Sequence, residues 1–169
     1  QKFTVKAQEV VQEAAQLAAS RNHQGIEPAH LLKAFLAEEN GVVVSILKKI
    51  GANLDFLVAR ADETLDKLPN VTGASVSGQY VGEALKKVFD RALAEAETLK
   101  DEYVSSEHLL IALSASPDAV GDALKTQGVT KDAILGVLKD VRGGQRVTDP
   151  HAESRYEALK RFARDLNEA

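Results

Sequence analysis

Two histidines in matching sequence contexts are the first residues on which chemistry could rest. His30 lies in Ile26-Glu27-Pro28-Ala29-His30-Leu31-Leu32, and His108 lies 78 residues later in Val104-Ser105-Ser106-Glu107-His108-Leu109-Leu110. A paired metal or acid–base site is one reading. Zinc sites of helical proteins use spacings such as H-E-x-x-H or recruit cysteine, and this chain has neither that spacing nor any cysteine. The alternative is structural: each histidine falls in the first turn of a helix, beside a capping segment, where it can bridge the helix end and a neighbour. Glu27 and Glu107 stand at the same helix starts, where the helix dipole favours a negative charge. Glu107 is also a candidate for the rim of a binding groove. Asp101-Glu102 reads as a solvated acidic pair, and no two carboxylates converge at a spacing suited to hydrolysis. Gly143-Gly144 is not a phosphate loop, because the string G-x-x-x-x-G-K-[ST] is absent. These residues define no catalytic, metal or nucleotide site.

The elements that must position them form one helical unit written twice. Val10, Val11, Ala14 and Ala18 are matched by Val88, Phe89, Ala92 and Ala96, and Leu85 repeats Ala7. Leu47 and Gly51 match Leu124 and Gly128 at an offset of 77, so one residue is lost in between. Apolar spacing predicts a first helix from Phe3 to Arg21, capped by Thr4. Pro28 opens the second in the position where its missing N–H costs nothing, and Asn40-Gly41 ends it. The third runs from Val42 to Ile50 with Gly51 as its stop. Asn53 caps a fourth, reaching about Leu68. The second unit repeats this order: Val81 to Leu99, a helix capped by Ser105 or Ser106 and ending near Ser114, Pro117 to Gln127 closed by Gly128, and a last one from Thr130. The fold class is therefore all-α, two pseudo-repeats of a four-helix unit spanning about 3–68 and 79–142 within a domain of 1–144. Residues 69–78 join the repeats, 145–151 form a second linker, and 152–169 are expected to form a helix with no counterpart in either repeat. That helix has an unpartnered apolar seam, and the chain starts without Met; both point to a fragment of a larger protein.

Composition limits the function classes. The net charge of -4 argues against binding a phosphate backbone, which requires a basic stripe. No run of apolar residues is long enough to span a membrane, and the amino-terminus has no signal-peptide core. A cytoplasmic origin agrees with the lack of cysteine. Repeats of this kind create an apolar seam and a groove, so binding is the leading expectation.

The two repeat strings, together with Phe3-Thr4 and Ala7, resemble the amino-terminal region of the Clp family of AAA+ proteins. The tail Val141-Arg142-Gly143-Gly144 followed by Tyr156-Glu157-Ala158-Leu159-Lys160-Arg161-Phe162 and Asp165-Leu166 is similar to its ClpB disaggregase branch. The resemblance covers essentially the whole chain. It implies a non-catalytic domain, mobile on a hexameric ATP-driven ring, that engages unfolded or aggregated polypeptide and works with the DnaK system. ATP and Mg would belong to ATPase modules outside this chain, which itself needs no cofactor and is expected to be monomeric. Substrate-contact positions carry over to Thr4, Leu85, Glu107 and His108. His108 stands where some members have an apolar residue, and Gly78 where some have Ser. The expected mechanism is an exposed apolar strip around Leu85, with Thr4 and Glu107 at its rim; each client side chain it buried would contribute about 1.5–3 kcal/mol. The alternatives are docking of a folded adaptor, as in ClpA or ClpC, and an independent helical enzyme.

Overall fold

The computed structural model describes residues 2–71, 79–142 and 147–153. Its first repeat runs β1 (Lys2–Phe3), α1 (Val5–Ser20), β2 (Gly25–Ile26), α2 (Pro28–Ala37), α3 (Val42–Ile50) and α4 (Leu54–Asp66). The second runs β3 (Tyr80–Val81), α5 (Glu83–Thr98), β4 (Tyr103–Val104), α6 (Ser106–Ser114), α7 (Ala119–Thr126) and α8 (Lys131–Arg142). The all-α architecture of two four-helix repeats is as expected. The helix proposed for 152–169 lies outside the described residues beyond Glu153, as do most of the first linker and Gly143-Gly144.

Local chemistry explains the helix ends. Thr4 Oγ1 accepts from Ala7 N at 3.2 Å and Asn53 Oδ1 accepts from Phe56 N at 3.1 Å, each supplying an acceptor to an otherwise unpaired first-turn donor. Asp118, which the apolar pattern did not single out, caps α7 through Val120 N and Gly121 N. Gly51 takes φ +92° at the end of α3, where the helix reverses into the next element.

The short strands were not expected, and they interlock the repeats. β1 pairs in parallel with β4, and β3 pairs in parallel with β2. Phe3 lies opposite Val104 and Ile26 opposite Val81, which are the same pair of repeat positions used twice. Each repeat therefore lends its leading strand to the other. This is why α5 starts at Glu83 rather than Val81: the two residues ahead of Gly82 are held extended by their ladder. The helices obey the same pseudo-two-fold relation, with α4 packing on α7 and α3 on α8.

One hydrophobic core spans both repeats. Alanines at positions 7, 14 and 18 of α1, and 92 and 96 of α5, let these long helices lie close against α2 and α6. All nine residues of α6 are buried, which marks it as a central helix. Leu85 is fully buried in this shared core. Gly121 is equally constrained: a Cβ there would meet the Ser116 carbonyl oxygen at 1.8 Å.

Two stability outcomes follow. Leu85→Ala should cost about 2–5 kcal/mol in urea denaturation because it leaves a cavity in the common core. Gly121→Ala should lower the thermal midpoint as well, since the backbone it strikes cannot swing aside. Gly136→Ala, with nothing within 4 Å of the added methyl, should not destabilise.

Candidate functional site

The histidines complete helix caps. Glu27 N donates to His30 Nδ1 and Ser105 N donates to His108 Nδ1, both at 2.8 Å. Histidine at the third helical position thus does what Glu or Gln does in a capping box. Because Nδ1 accepts, Nε2 must carry the proton in each ring. It is directed to a partner seven residues upstream: His23 Nδ1 at 2.9 Å in the first repeat and Asp101 Oδ2 at 2.7 Å in the second. The bridge between helix end and neighbour is present in both halves. Among the described residues no group of three His, Asp or Glu side chains could hold a metal ion.

The two ends have diverged electrically. In the first repeat the His23–His30 pair is buried, and burial, followed by the proximity of His23 and Arg21, pushes the His30 pKa down to about 4. In the second repeat Asp101 is the hub of a charged cluster. It accepts from His108, from Val147 N at 3.0 Å and from Arg142 Nη1 at 3.3 Å. Burial opposes its ionisation, but these donors and the Arg142 charge outweigh it and hold the Asp101 pKa below its ordinary value. Arg142 Nε also donates to Glu107 Oε2 at 2.9 Å. The reading of Asp101 as a solvated residue is therefore corrected: its side chain is fully buried, and only Glu102 beside it is exposed. The seven-residue spacing shared with His23 and His30 was the available signal.

Thr4, Leu85, Glu107 and His108 are all at 0% exposure. The expectation of an exposed strip around Leu85 does not hold in this structure, because Leu85 points from α5 into the core. Thr4, Glu107 and His108 do come together with the start of α6, as capping and ion-pairing groups beneath the surface.

An open concavity lies on the other face of α5. A groove of about 780 Å³ runs between α5 and the α6–α7 turn. Ala84, Val88, Ala94, Ala112, Ala115 and Pro117 give it apolar lining. Its charged lining is mixed but acidic in balance: Glu83, Asp90, Glu95 and Asp118 against Lys87 and Arg91. Glu95 is engaged by Lys131 at 2.9 Å. Glu27 reaches this region from the first repeat; burial raises its pKa, and the nearby Asp118 raises it further. Tyr80 and Val81, the exposed large apolar residues of the described chain, lie just ahead of Glu83, where α5 enters the groove lining. Apolar periodicity marked α5 as amphipathic but did not reveal that its outward side borders a concavity.

Two interlocked helical repeats around one core, with an open groove of mixed polarity beside α5, define a duplicated all-α domain. The chain belongs to the family of the Clp repeat (R) N-terminal domain, which matches residues 2–127. It is homologous to the chaperone protein ClpB of Bacillus cereus, with 40% identity over 97% of this chain and 19% of that protein, and to that of Rhodopirellula baltica, with 36% identity over 99% and 19%. The chain thus spans about a fifth of the length of these relatives. Its fold is similar to that of the Hsp104 N-terminal domain from Candida albicans, with a TM-score of 0.76, 23% identity and coverage of 90% of this chain and 99% of that one. It is also similar to the N-terminal domain of the ClpV1 ATPase from E. coli, with a TM-score of 0.70, 23% identity and coverage of 86% and 88%.

Arg142 is the compensating cation for two buried acids. Arg142→Leu should destabilise the domain by about 3–5 kcal/mol in urea denaturation at neutral pH. The His pair gives the domain an acid-labile component. With a folded His30 pKa of about 4 against 6.5 in the free side chain, stability is full above 6.5 and is lost as pH falls toward 4. His30→Gln, which keeps an acceptor at the cap, should shallow the denaturation-versus-pH slope in that window by up to about 1.4 kcal/mol per pH unit.

Proposed function

We propose that this chain is a non-catalytic polypeptide-binding domain of an ATP-driven disaggregase, and that the groove beside α5 is where it holds unfolded client segments. The observation that carries the reading is the groove itself: an open apolar floor with a charged rim, on a chain of the Clp repeat family. Support also comes from a related fold, a ClpV N-domain solved in complex with a VipB peptide, with a TM-score of 0.55 and 17% identity. In the whole protein, ATP and Mg would act in other modules of a cytoplasmic hexamer, and hand-over of clients would involve the DnaK system. Residues 1–144 would be the domain proper. In this reading Leu85 contributes by anchoring α5 from the core side, and Thr4, Glu107 and His108 by fixing the start of α6, whose other end lines the groove.

The physical basis is weak, adaptable capture. Small floor residues accept apolar side chains of many shapes, and the acidic balance of the rim favours segments that interleave apolar and basic residues. Binding costs offset most of the burial gain, so a shallow groove holds a client loosely enough to release it.

Fluorescence anisotropy with a labelled, permanently unfolded protein tests this. Saturable binding of the unfolded form and not of its folded counterpart is expected. Ala84→Glu combined with Ala94→Glu should weaken it by about tenfold, equivalent to about 1.4 kcal/mol, with helicity unchanged. Binding unaffected by both substitutions would remove the groove assignment. Preference for a folded partner would instead identify an adaptor-docking domain.

A further inference from the structure

The pseudo-two-fold relation makes the two ends of the domain directly comparable. At the 78-residue offset, Gly82, His23, Glu27, Pro28 and Ala29 in one end correspond to Thr4, Asp101, Ser105, Ser106 and Glu107 in the other. The first end is closed by its own residues: the Glu27 carboxylate sits where a Cβ on Gly82 would go, and Pro28 has no N–H to offer. The second end is built to receive something. Ser106 N donates to Glu153 Oε1 at 2.9 Å and the Thr4 hydroxyl donates to the same oxygen. The segment carrying Glu153 is bonded along its length: Val5 N to Pro150 O at 2.8 Å, Glu102 N to Val147 O at 2.8 Å, and Val147 N to Asp101 Oδ1 at 3.0 Å.

We infer that Val147–Glu153 is a reversible, pH-responsive strap whose Glu153 carboxyl group docks in a niche formed by Thr4 and Ser106 over the Asp101–Glu107–Arg142 cluster. Its apolar anchors, Val147 and Ala152, form a small cluster with Tyr103 and Val141 that meets the main core at Val141 but shares none of its buried residues, so the strap can leave without opening that core. The titratable and charged groups around the niche make the docked state conditional. Glu107 and His108 come from α6, Asp101 from the turn ahead of β4 and Arg142 from α8, while α1 presents the Thr4 hydroxyl. One guanidinium therefore serves Asp101 and Glu107, and Glu153 enters as a further acid. Glu107 Oε1 has no hydrogen-bond partner among the described residues and is the acceptor left open in the cluster. A proton on Glu153 removes the like charge and supplies a donor of the kind that acceptor lacks.

The direction is consistent with the burial of Glu153 and then the Glu107 charge raising its pKa to about 7. A carboxyl raised in the docked state favours docking most at pH values below its free value of 4.5, and that contribution is lost as pH rises through about 7. The strap should therefore be held in mildly acidic solution and loosened in mildly alkaline solution, while the His23–His30 end responds to acid in the opposite sense.

Amide hydrogen exchange by NMR on the whole chain tests this, using Val5, Glu102 and Ser106 as reporters, whose N–H groups bond to the strap. After correction for intrinsic rates, their protection should fall by about tenfold or more from about pH 5 to about pH 8. Glu153→Gln retains the acceptor and cannot ionise, so the fall should disappear. Ser106→Pro copies the first end, where Pro28 already occupies the matching position, and should release the strap at every pH: Val5 and Glu102 lose protection while Leu109 keeps it. Protection that is constant with pH in the unmodified chain, a fall that persists in Glu153→Gln, or a folded Ser106→Pro chain with Val5 and Glu102 still protected would each overturn the inference.

Discussion

The central helices α2 and α6 are buried along most of their surfaces, so the backbone donors at their starts have no solvent to turn to. An unpaired buried N–H costs about 1–3 kcal/mol. The domain meets this constraint twice with a histidine in the first turn, accepting from the N-cap backbone and donating to a side chain seven residues upstream. That bond ties the helix start to the preceding turn. The turn in turn leads into the short strand through which the opposite repeat is attached. Capping, strand exchange and core continuity thus meet at the same few residues.

The exchange of leading strands makes the duplicated unit into one folding entity. Each leading strand pairs with the opposite repeat, and the largest helix contacts between repeats follow the same symmetry. A single core across the seam leaves the outer side of α5 free to border a groove. The groove is consequently backed by rigid structure even though its floor is made of small residues, an arrangement suited to loose binding of varied chains.

Symmetry is broken at the helix starts. A neutral His pair closes one end, whereas Asp101, Glu107 and Arg142 turn the other into a charged platform with the 147–153 segment laid over it. Ion pairing there offsets desolvation instead of adding a large surplus of stability. The same cluster that supports the fold therefore leaves its covering segment sensitive to charge.

Much of the architecture was legible in the chain itself. Helical periodicity, Pro28, Gly51, and the caps Thr4 and Asn53 are local signals, and repetition doubled the periodicity and the glycine stop, which returns as Gly128. The histidines' structural role followed from their position in the first turn. The partners did not: His23 and Asp101 are set by how each turn folds back, and Glu153 reaches Thr4 across 149 positions. Nor could periodicity distinguish an apolar side chain facing the core from one facing a groove. Leu85 was expected on an exposed strip, and packing placed it inside while Ala84 and Ala94 line the concavity. By itself the sequence determined the helices, their order and their duplication, because these depend on contacts a turn or two apart. Tertiary structure decided which faces are exposed and which charges meet, because burial and pairing depend on what the other repeat brings to the same point in space.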